Sequence, residues 1–511
     1  MKSPRKHGRA ERNPRILIVT PEISYLPRKM GNMARHIRAK TGGLADVTAS
    51  LVGALCELGA DVHVALPHYR RMFHVDIGNF INGELRVYKR ILPDSRIHLA
   101  QDRVFYYRND VYSHYYGESH RVATAFQREV INNIIPQVDP DLIHCNDWMT
   151  GLLPAMARRM GIPALFTIHN IHTHELTLAA IEDAGIDAAE FWPYLFYQRV
   201  PAGYEETRDT NPIDLLVSGI FSAHFVNTVS PTFLEEICNG EHDFVGDSVR
   251  SELINKRNAG CATGILNAPD PSFDPETDAL IGHRYSVENF AAGKQANKAE
   301  LQERLGLIVD EKAPLLFWPS RLDPAQKGPQ LLTHVLYDVV HSYWDRGLQI
   351  AVIANGPYQE PFRNVVRFHN FHKRVAICDF DEELSHIGYA ASDFTLMPSL
   401  FEPCGLPQMI AAIYGSLPIA HDTGGLHDTV THLVPDRDSG NGFLFEVFDP
   451  GGLKWAIEEA MAFYGLSDEF KARQISRIMS ESAATFTHSV TAKRYFELYE
   501  RMLKRPLINA F

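Results

Sequence analysis

Short apolar segments alternate with segments of helical periodicity along most of this chain, and this alternation constrains the fold more than any other feature. The first series of apolar segments is RILIVT, DVHVAL, PDLIHCND, PALFTIHN and AHFVNTVS. Between the first two, apolar residues recur at helical spacing from Leu44 to Leu58. Because strands that alternate with helices form βαβ units, the sequence predicts a parallel, doubly wound sheet.

A stretch rich in proline, aspartate and turn formers, 267–286, interrupts the alternation and is the predicted hinge. A second series follows it: APLLFWPS, LQIAVIANG, KRVAICDF, DFTLMPS and LPIAHDTGG. The length of 511 residues suits two domains of about 250 residues each. We therefore predict an α/β protein with two Rossmann-like domains, 15–266 and 287–484, facing each other across a cleft. The C-terminal helix, 485–511, is a candidate to cross back to the first domain.

Charge and composition argue against several classes of function. The chain has 50 basic and 62 acidic residues, a formal charge of −12, which disfavours nucleic acids and anionic membranes as partners. No apolar run approaches the roughly 18 residues that span a membrane. The basic stretch 1–14 lacks the apolar core of a secretion signal, and we interpret it as a disordered tail. Six scattered cysteines without a CxxC pair favour reduced thiols and a cytoplasmic location.

Two stretches have the composition of anion-binding sites. KTGGLADV places Lys40, Gly42 and Gly43 at the start of a predicted helix, where backbone N–H groups and the helix dipole attract phosphate. SRLDPAQKG places Arg321 and Lys327 just after a strand, and two cations there could neutralise a diphosphate. A tight turn with a solvated lysine, and a loop with solvated charges, are the ordinary alternatives. The chain contains neither a Walker loop nor a GxGxxG fingerprint, so a dinucleotide redox cofactor has no support.

Four other stretches could act on a sugar or its phosphates. PSLFEPCGLPQ places Glu402 between a strand and a helix, where a carboxylate can bind hydroxyls, stabilise positive charge at an anomeric carbon or merely cap its helix. HDTGGLHDTV is a second Gly-Gly turn, with Thr423 as a hydrogen-bond donor. Asp147 and His169 end neighbouring predicted strands and could form an acid–base or hydrogen-bonding pair.

Polar residues recur at the carboxyl ends of the predicted strands, which is where doubly wound sheets bind ligands. These residues are Asp147, His169, Asn227, Ser230, Arg321, Glu402 and Thr423. The nearby stretch HNIHTHE contains nitrogen and carboxylate groups that could hold zinc. The sequence of this stretch is typical of a loop, and it has no partner cysteine or second histidine pair at zinc-finger spacing. We therefore predict no metal site.

Ten stretches resemble, in order, the bacterial glycogen synthase and plant starch synthase family, which are retaining glucosyltransferases of the two-domain GT-B fold. They extend from about residue 15 to residue 500: KTGGLADV, NDW, TIHN, NTVSPT, GILNAPD, NKAELQERLGL, SRLDPAQKG, DEELSHIGYAASDFTLMPS, FEPCGLPQM and TGGLHDTV. One such motif would be weak evidence, whereas ten in the family's order are strong evidence. The resemblance implies a retaining hexosyltransferase.

The resemblance also implies roles for individual residues. The phosphates of a nucleotide sugar would be held by Lys40, Gly42, Gly43, Arg321, Lys327, Thr423 and Gly424. The donor glucose would be contacted by His169, Glu402, Gly405 and Leu406. Phe380 would stack on the nucleobase, and Asp147 would lie near the acceptor. The implied catalytic residues are Asp147, His169, Arg321, Lys327 and Glu402.

The implied reaction transfers glucose from ADP-glucose, with UDP-glucose as the second choice, to the 4-hydroxyl of an α-1,4-glucan such as glycogen. The anomeric configuration is retained, and closure of the two domains is expected. Position 410 is isoleucine where related transferases carry a second glutamate, which favours same-face attack assisted by the leaving phosphate. Nothing marks a lysine that would bind pyridoxal phosphate, so no cofactor is expected.

Three departures from the family pattern keep alternatives open. The stretch 23–39 inserts 17 residues between Glu22 and Lys40, where the family usually has a handful. Five residues separate Arg321 from Lys327, one more than is usual, and Leu400 replaces the family's arginine. A retaining transferase with a different small acceptor and a catalytically weak glucan-binding homologue therefore remain alternatives.

Overall fold

The structure is a computed structural model that describes residues 12–73, 95–112 and 116–509. It divides into two compact units. Unit 1 contains the described residues up to Val229, then Leu234–Ile265 and the chain from His488. Unit 2 contains Ser230–Phe233 and Leu266–Thr487.

Unit 1 is built on a parallel sheet with strand order β3-β2-β1-β4-β5-β8-β9 among the described residues. The strands are β1 (Arg15–Val19), β2 (Asp61–Pro67), β3 (Ile97–Ala100), β4 (Leu142–Asn146), β5 (Ala164–Ile168), β8 (Phe225–Thr228) and β9 (Ala262–Gly264). A separate antiparallel pair is formed by β6 (Glu175–Leu176) and β7 (Ile213–Asp214). The central strands are apolar on both faces because helices cover both sides, as in β5, which is wholly buried.

Unit 2 is built on a second parallel sheet, with strand order β12-β11-β10-β13-β14-β15. Its strands are β10 (Leu315–Trp318), β11 (Gln349–Ile353), β12 (Val375–Cys378), β13 (Phe394–Met397), β14 (Leu417–His421) and β15 (Phe443–Phe445). Two doubly wound parallel sheets confirm the predicted fold class.

The helices lie between the strands in the chain. Those of the first half are α1 (Gly43–Glu57), α2 (Arg103–Tyr106), α3 (Tyr116–Glu129), α4 (Ile135–Val138), α5 (Leu153–Met160), α6 (Leu178–Asp183), α7 (Tyr204–Arg208), α8 (Leu215–Ser222), α9 (Pro231–Asn239) and α10 (Asp247–Asn258). The second half contains α11 (Phe290–Leu305), α12 (Pro329–Ser342), α13 (Gln359–His369), α14 (Glu382–Ala391), α15 (Pro407–Ile413), α16 (Gly424–Thr429), α17 (Pro450–Tyr464), α18 (Asp468–Thr485) and α19 (His488–Leu503). None of these helices is long and apolar enough to cross a membrane.

The segment 267–286, interpreted above as a hinge, packs inside unit 2. Its Asp278 is buried and accepts hydrogen bonds from His386 Nδ1 (2.7 Å) and Tyr414 Oη (2.6 Å). The chain passes from unit 1 to unit 2 just before this segment, at Ile265 and Leu266. The segment is therefore a packed part of the second unit.

The last helix, α19, is packed in unit 1. Tyr499 Oη lies 2.7 Å from His144 Nδ1, and Tyr495 Oη accepts a hydrogen bond of 2.8 Å from Asn227 Nδ2. These contacts tie the C-terminus to strands β4 and β8. Asn227, one of the polar residues predicted for a ligand-binding edge, is thus used to hold a helix.

The predicted N-terminal tail, 1–14, lies mostly outside the described residues. Its described part begins at Arg12, whose guanidinium forms an ion pair of 2.9 Å with buried Asp141. Residues from Arg12 onward are therefore attached to the sheet of unit 1.

Candidate active site

The predicted site residues lie at the carboxyl edges of the two sheets, beside the point where each strand order reverses. In unit 1, β1 pairs with β4, and these strands lead to Glu22 and Asp147. In unit 2, β10 pairs with β13, and these strands lead to Arg321 and Glu402. Ligands of doubly wound sheets bind at such switch points.

The Lys40 loop leads into helix α1 with open space beside its glycines. A side chain added to Gly43 would meet no atom within 4 Å. Gly42, the N-cap residue, has a φ of −138° and therefore does not need to be glycine for conformational reasons. Since neither packing nor backbone geometry demands glycine here, the missing side chains leave room for a ligand beside the first backbone N–H groups of α1.

Glu22 organises this loop, although the sequence analysis did not identify it as a site residue. Its Oε2 accepts hydrogen bonds from the backbone N–H groups of Thr41 (2.7 Å) and Gly42 (2.9 Å), and its Oε1 accepts one from Tyr112 Oη. Burial raises the pKa of Glu22, while these hydrogen bonds act in the opposite direction. The sequence feature that could have identified Glu22 is its position just after strand β1, at the edge of the sheet where ligands bind.

Asp147 and His169 are close together, but their side chains do not form the predicted pair. Asp147 Oδ1 accepts a hydrogen bond from the backbone N–H of His169 (2.7 Å), and its Oδ2 accepts one from Asn170 Nδ2 (3.0 Å). The imidazole instead contacts Asn146, with 3.0 Å between Nε2 and Oδ1. Of the two predicted alternatives, the acid–base pair between side chains is not formed, whereas a hydrogen bond does join the two residues, from the backbone N–H of His169 to Asp147.

The histidine is held as a neutral hydrogen-bonding group. Burial lowers the pKa of His169 to about 3. Asn146 Nδ2 donates to Val19 O, so its Oδ1 faces Nε2 of the imidazole. This pattern puts the proton on Nε2 and leaves Nδ1 as an acceptor for a substrate hydroxyl.

The pH dependence of the reaction should report the ionisation of Asp147. Burial raises its pKa to about 7, outweighing the backbone hydrogen bonds from His169 and Asn170. Since the carboxylate orders the His169 loop, we expect kcat/KM to fall as the pH drops through about 7. In the Asp147→Asn variant, kcat/KM should no longer fall as the pH drops through about 7. If the variant shows the same fall as the wild type, Asp147 is not the group that causes it.

In unit 2, a lysine and a glutamate meet at the carboxyl edge. Lys327 Nζ lies 2.5 Å from Glu402 Oε2, which also accepts a hydrogen bond of 3.2 Å from Ser399 Oγ. Glu402 is only 5% exposed. Arg321 is exposed, and its guanidinium forms no ion pair or hydrogen bond within the described part of the chain. The two cations predicted for a diphosphate therefore lie on either side of a short turn at one sheet edge.

The five residues between Arg321 and Lys327 form that turn. The N–H of Lys327 donates to Asp323 O (2.7 Å), and Asp323 Oδ1 accepts from the N–H of Ala325 (3.0 Å). Gly328, the N-cap residue of α12, has a φ of +70°, and a side chain there would lie 2.0 Å from Pro398 O. Lys327 consequently still reaches Glu402. Leu400 is partly exposed and adds no charge beside this turn.

The two remaining turns of unit 2 are joined through the backbone of Glu402. The N–H of Gly425 donates to Glu402 O at 2.8 Å, so the Thr423–Gly424 turn lies against the Glu402–Leu406 turn. Gly405 has a φ of +72° and precedes Leu406, the N-cap residue of α15. The structure therefore brings together the predicted sugar-binding and phosphate-binding turns of this unit.

Phe380 lies at the same edge, further along the sheet. It follows β12, two strands from β10, which corresponds to about 10 Å. The residue is 54% exposed, and its N–H donates to Asn355 Oδ1. The strand order thus arranges a carboxylate, two cations and an exposed aromatic ring in the order needed for a sugar, a diphosphate and a base.

Asn267 is a further polar residue that the sequence analysis missed. It is buried, and its Oδ1 has no hydrogen-bond partner among the described residues. Its backbone N–H contacts the thiol of Cys404, two residues from Glu402. Asn267 is therefore tied to the Glu402–Leu406 turn through its backbone, and its unbonded amide oxygen is enclosed by protein. Only its place in the motif GILNAPD could have drawn attention to it.

No group of histidine, cysteine and acidic residues in the described chain could hold a metal ion. Within the stretch HNIHTHE, His174 packs on the ring of Trp148, and Glu175 accepts a hydrogen bond from Gln198. These side chains are engaged in separate contacts.

Comparison with known proteins identifies the family. Residues 15–249 match the model of the starch synthase catalytic domain, and residues 313–462 match that of glycosyl transferases group 1. The glycogen synthase of Bacillus licheniformis is 33% identical over 497 residues, covering 91% of this chain and 96% of the relative. The glycogen synthase of Exiguobacterium sibiricum is 34% identical over 490 residues, covering 90% and 95%.

Solved structures agree with this result. The catalytic domain of starch synthase IV from Arabidopsis thaliana, bound to ADP and acarbose, matches with a TM-score of 0.77 and 26% identity. That match covers 97% of this chain and all of the relative's chain. Sucrose-phosphate synthase from Thermosynechococcus elongatus, at 19% identity and a TM-score of 0.56, shares the fold. As the motifs predicted, the chain belongs to the glycogen and starch synthase family of glycosyltransferases with the GT-B fold.

Proposed function

We propose that the chain is a glycogen synthase that transfers glucose from ADP-glucose to the non-reducing 4-hydroxyl of an α-1,4-glucan, with retention of configuration. The observation that carries the proposal is the arrangement at the edge of unit 2, where Lys327 contacts Glu402 beside two glycine turns. The relatives named glycogen synthase support the reaction, and the ADP in the starch synthase IV structure supports the donor.

The chemistry follows from charge placement. Arg321 and Lys327 stabilise the negative charge that develops on the departing diphosphate, and Glu402 stabilises the positive charge on the sugar. Ile410 is an apolar, buried residue of α15, so it supplies no nucleophile for a double displacement. We therefore propose attack on the face that the diphosphate leaves, with a phosphate oxygen accepting the proton of the acceptor hydroxyl. The reaction needs neither a metal nor another cofactor.

In unit 1, we propose that the Lys40 loop contributes to binding of the donor phosphates and that neutral His169 binds a donor hydroxyl. Asp147 acts through the backbone of His169. The acceptor is glycogen or a maltooligosaccharide. All six cysteines, which lie in the described chain, are free thiols, and this supports a cytoplasmic location.

The direct test is release of nucleoside diphosphate by the purified protein. ADP-glucose and UDP-glucose are offered separately, each with and without glycogen, and with and without EDTA. We expect glycogen-dependent release of ADP that EDTA does not change. Faster release from UDP-glucose would overturn the donor assignment, release without glycogen would indicate another acceptor, and no release despite glycogen binding would indicate a non-catalytic homologue.

Removing the ring of Phe380 should weaken nucleotide binding. Stacking of a base on an aromatic side chain contributes about 1–3 kcal/mol, so Phe380→Ala should raise the Kd for ADP by about 5- to 150-fold. Phe380→Tyr, which retains an aromatic face, should bind ADP nearly as the wild type does. Isothermal titration calorimetry measures both, and equal affinities for the alanine variant and the wild type would refute the stacking assignment.

A further inference from the structure

The 23–39 insertion forms a compact layer along helix α1. A β-bridge between Ile23 and Ala39 closes its base. Between them, Tyr25 Oη lies 2.8 Å from Ser50 Oγ, and Lys29 Nζ donates to Cys56 O. Because Ser50 and Cys56 lie in the middle and at the end of α1, the insertion runs along the helix that begins at the Lys40 loop.

Where the insertion returns to the loop, buried and exposed residues alternate. Ile37 and Ala39 are 2% and 0% exposed, whereas Arg38 and Lys40 are exposed. Ile37 is extended, and Ala39 is held in the bridge. Alternate residues of an extended segment share one face, so Arg38 and Lys40 leave the backbone on the same side, about 6.6 Å apart.

The charge balance of the loop makes Arg38 important. Lys40 is already paired, with 2.8 Å between its Nζ and Asp46 Oδ2. The buried carboxylate of Glu22 also lies under the loop. The ion pair with Asp46 offsets the charge of Lys40, which weakens its attraction for a diphosphate.

Arg38 supplies the missing positive charge. Within the part of the chain that the structure describes, its guanidinium forms neither an ion pair nor a hydrogen bond. It is exposed on the face that also carries Lys40. A guanidinium offers two parallel donors that match phosphate oxygens.

We propose that Arg38 is a donor-binding residue, which contacts the phosphates of the nucleotide sugar beside Lys40. The proposal rests on the function proposed above and assigns part of the 23–39 insertion to recognition of the donor. Its chemical target is a nucleoside diphosphate, and the glucan acceptor is not involved.

The insertion itself provides a matched control. Arg28 is also exposed, and its neighbour Lys29 contacts Cys56 near the end of α1. Since α1 has 15 residues, Arg28 lies about 20 Å from the Lys40 loop. Arg28→Gln removes the same charge from the same insertion without removing a group near the proposed phosphate contact.

The test compares Arg38→Gln, Arg38→Lys, Arg28→Gln and Lys40→Ala with the wild type. Calorimetry gives the Kd for ADP and for adenosine, and steady-state kinetics give KM for ADP-glucose. We expect Arg38→Gln to raise the Kd for ADP and the KM about tenfold, equivalent to about 1.4 kcal/mol. Adenosine binding should be unchanged, Arg38→Lys should recover part of the affinity, and Arg28→Gln should match the wild type.

Different failures are distinguishable. If Arg38→Gln and Arg28→Gln weaken ADP binding equally, the effect is general electrostatics and the assignment of Arg38 is overturned. If Lys40→Ala weakens ADP binding but Arg38→Gln does not, the inference about Arg38 fails and the proposed function stands. If the wild type releases no nucleoside diphosphate from either nucleotide sugar, the proposed function itself fails.

Discussion

Replacing Glu402 by glutamine should lower kcat for glucosyl transfer about 10²- to 10³-fold and leave the protein folded. Glutamine has nearly the same volume and can still accept the hydrogen bond that Ser399 Oγ makes to this side chain. It cannot supply the negative charge that stabilises an oxocarbenium-like sugar. The loss should therefore appear in kcat more than in the KM for ADP-glucose.

The control for this variant is Glu383→Gln. Glu383 is an exposed residue of α14 that pairs with Arg304 on the surface of unit 2. This control removes one carboxylate from the same unit, and its kcat should equal that of the wild type. Circular dichroism and the thermal midpoint establish that both variants are folded. A folded Glu402→Gln enzyme that retains more than about a tenth of wild-type kcat would show that the charge on Glu402 does not stabilise the transition state.

The effects of substituting Lys327 and Glu402 on kcat should depend on each other. The two side chains form an ion pair in which Glu402 is buried. Interaction energies between contacting residues are commonly 0.5–3 kcal/mol, so the effects of Lys327→Met and Glu402→Gln on kcat should not be additive. This non-additivity distinguishes a shared role from two independent ones.

The sheets and their functional edges could be predicted from sequence because the signals are local. Buried parallel strands such as β5 are apolar on both faces, and the polar residue that follows each strand is visible in the sequence. The ten family motifs located Lys327, Glu402 and Thr423, which the structure then brings to one edge of unit 2. How their side chains bond to one another was not visible in those motifs.

Side-chain partners were harder to predict because they depend on backbone conformation. Asp147 has a φ of +56°, unusual for aspartate, and this conformation aims its carboxylate at the backbone N–H of His169. No sequence pattern signals such an angle for a non-glycine residue. The role of Glu22 was missed for a related reason. Its partners, the N–H groups of Thr41 and Gly42, lie on the far side of the 23–39 insertion, so the contact is not local in sequence.

The segment 267–286 shows how composition alone can mislead. Its prolines and aspartates resemble those of an exposed linker, yet Asp278 is only 4% exposed. A buried carboxylate requires partners, and the two side chains that donate to Asp278 lie more than 100 residues later in the chain. Local composition contains no information about His386 and Tyr414, so the packed segment was interpreted as a hinge.

Replacing Asp278 by alanine should destabilise unit 2 by about 3 kcal/mol. The carboxylate accepts hydrogen bonds from His386 Nδ1, Tyr414 Oη and the N–H of Leu280, and its removal leaves the buried side chains of His386 and Tyr414 without this partner. Denaturant titration followed by tryptophan fluorescence measures the loss, because Trp318 lies in the core of this unit. The exposed neighbour Glu276 provides a control, and Glu276→Gln should change the free energy of unfolding by less than about 0.5 kcal/mol.

The same variant should identify the ionised form of Asp278 as the stabilising one. Burial raises the pKa of this carboxyl, but the hydrogen bonds from His386 and Tyr414 outweigh burial and hold the pKa below the ordinary value of 3.8. A lowered pKa in the folded state contributes stability above the unfolded value and loses it as the pH falls through the folded value. The difference in unfolding free energy between wild type and Asp278→Ala should therefore be constant near neutral pH and shrink below about pH 3.8. A difference that stays constant into that acidic range would mean that the contacts of Asp278 do not depend on its charge.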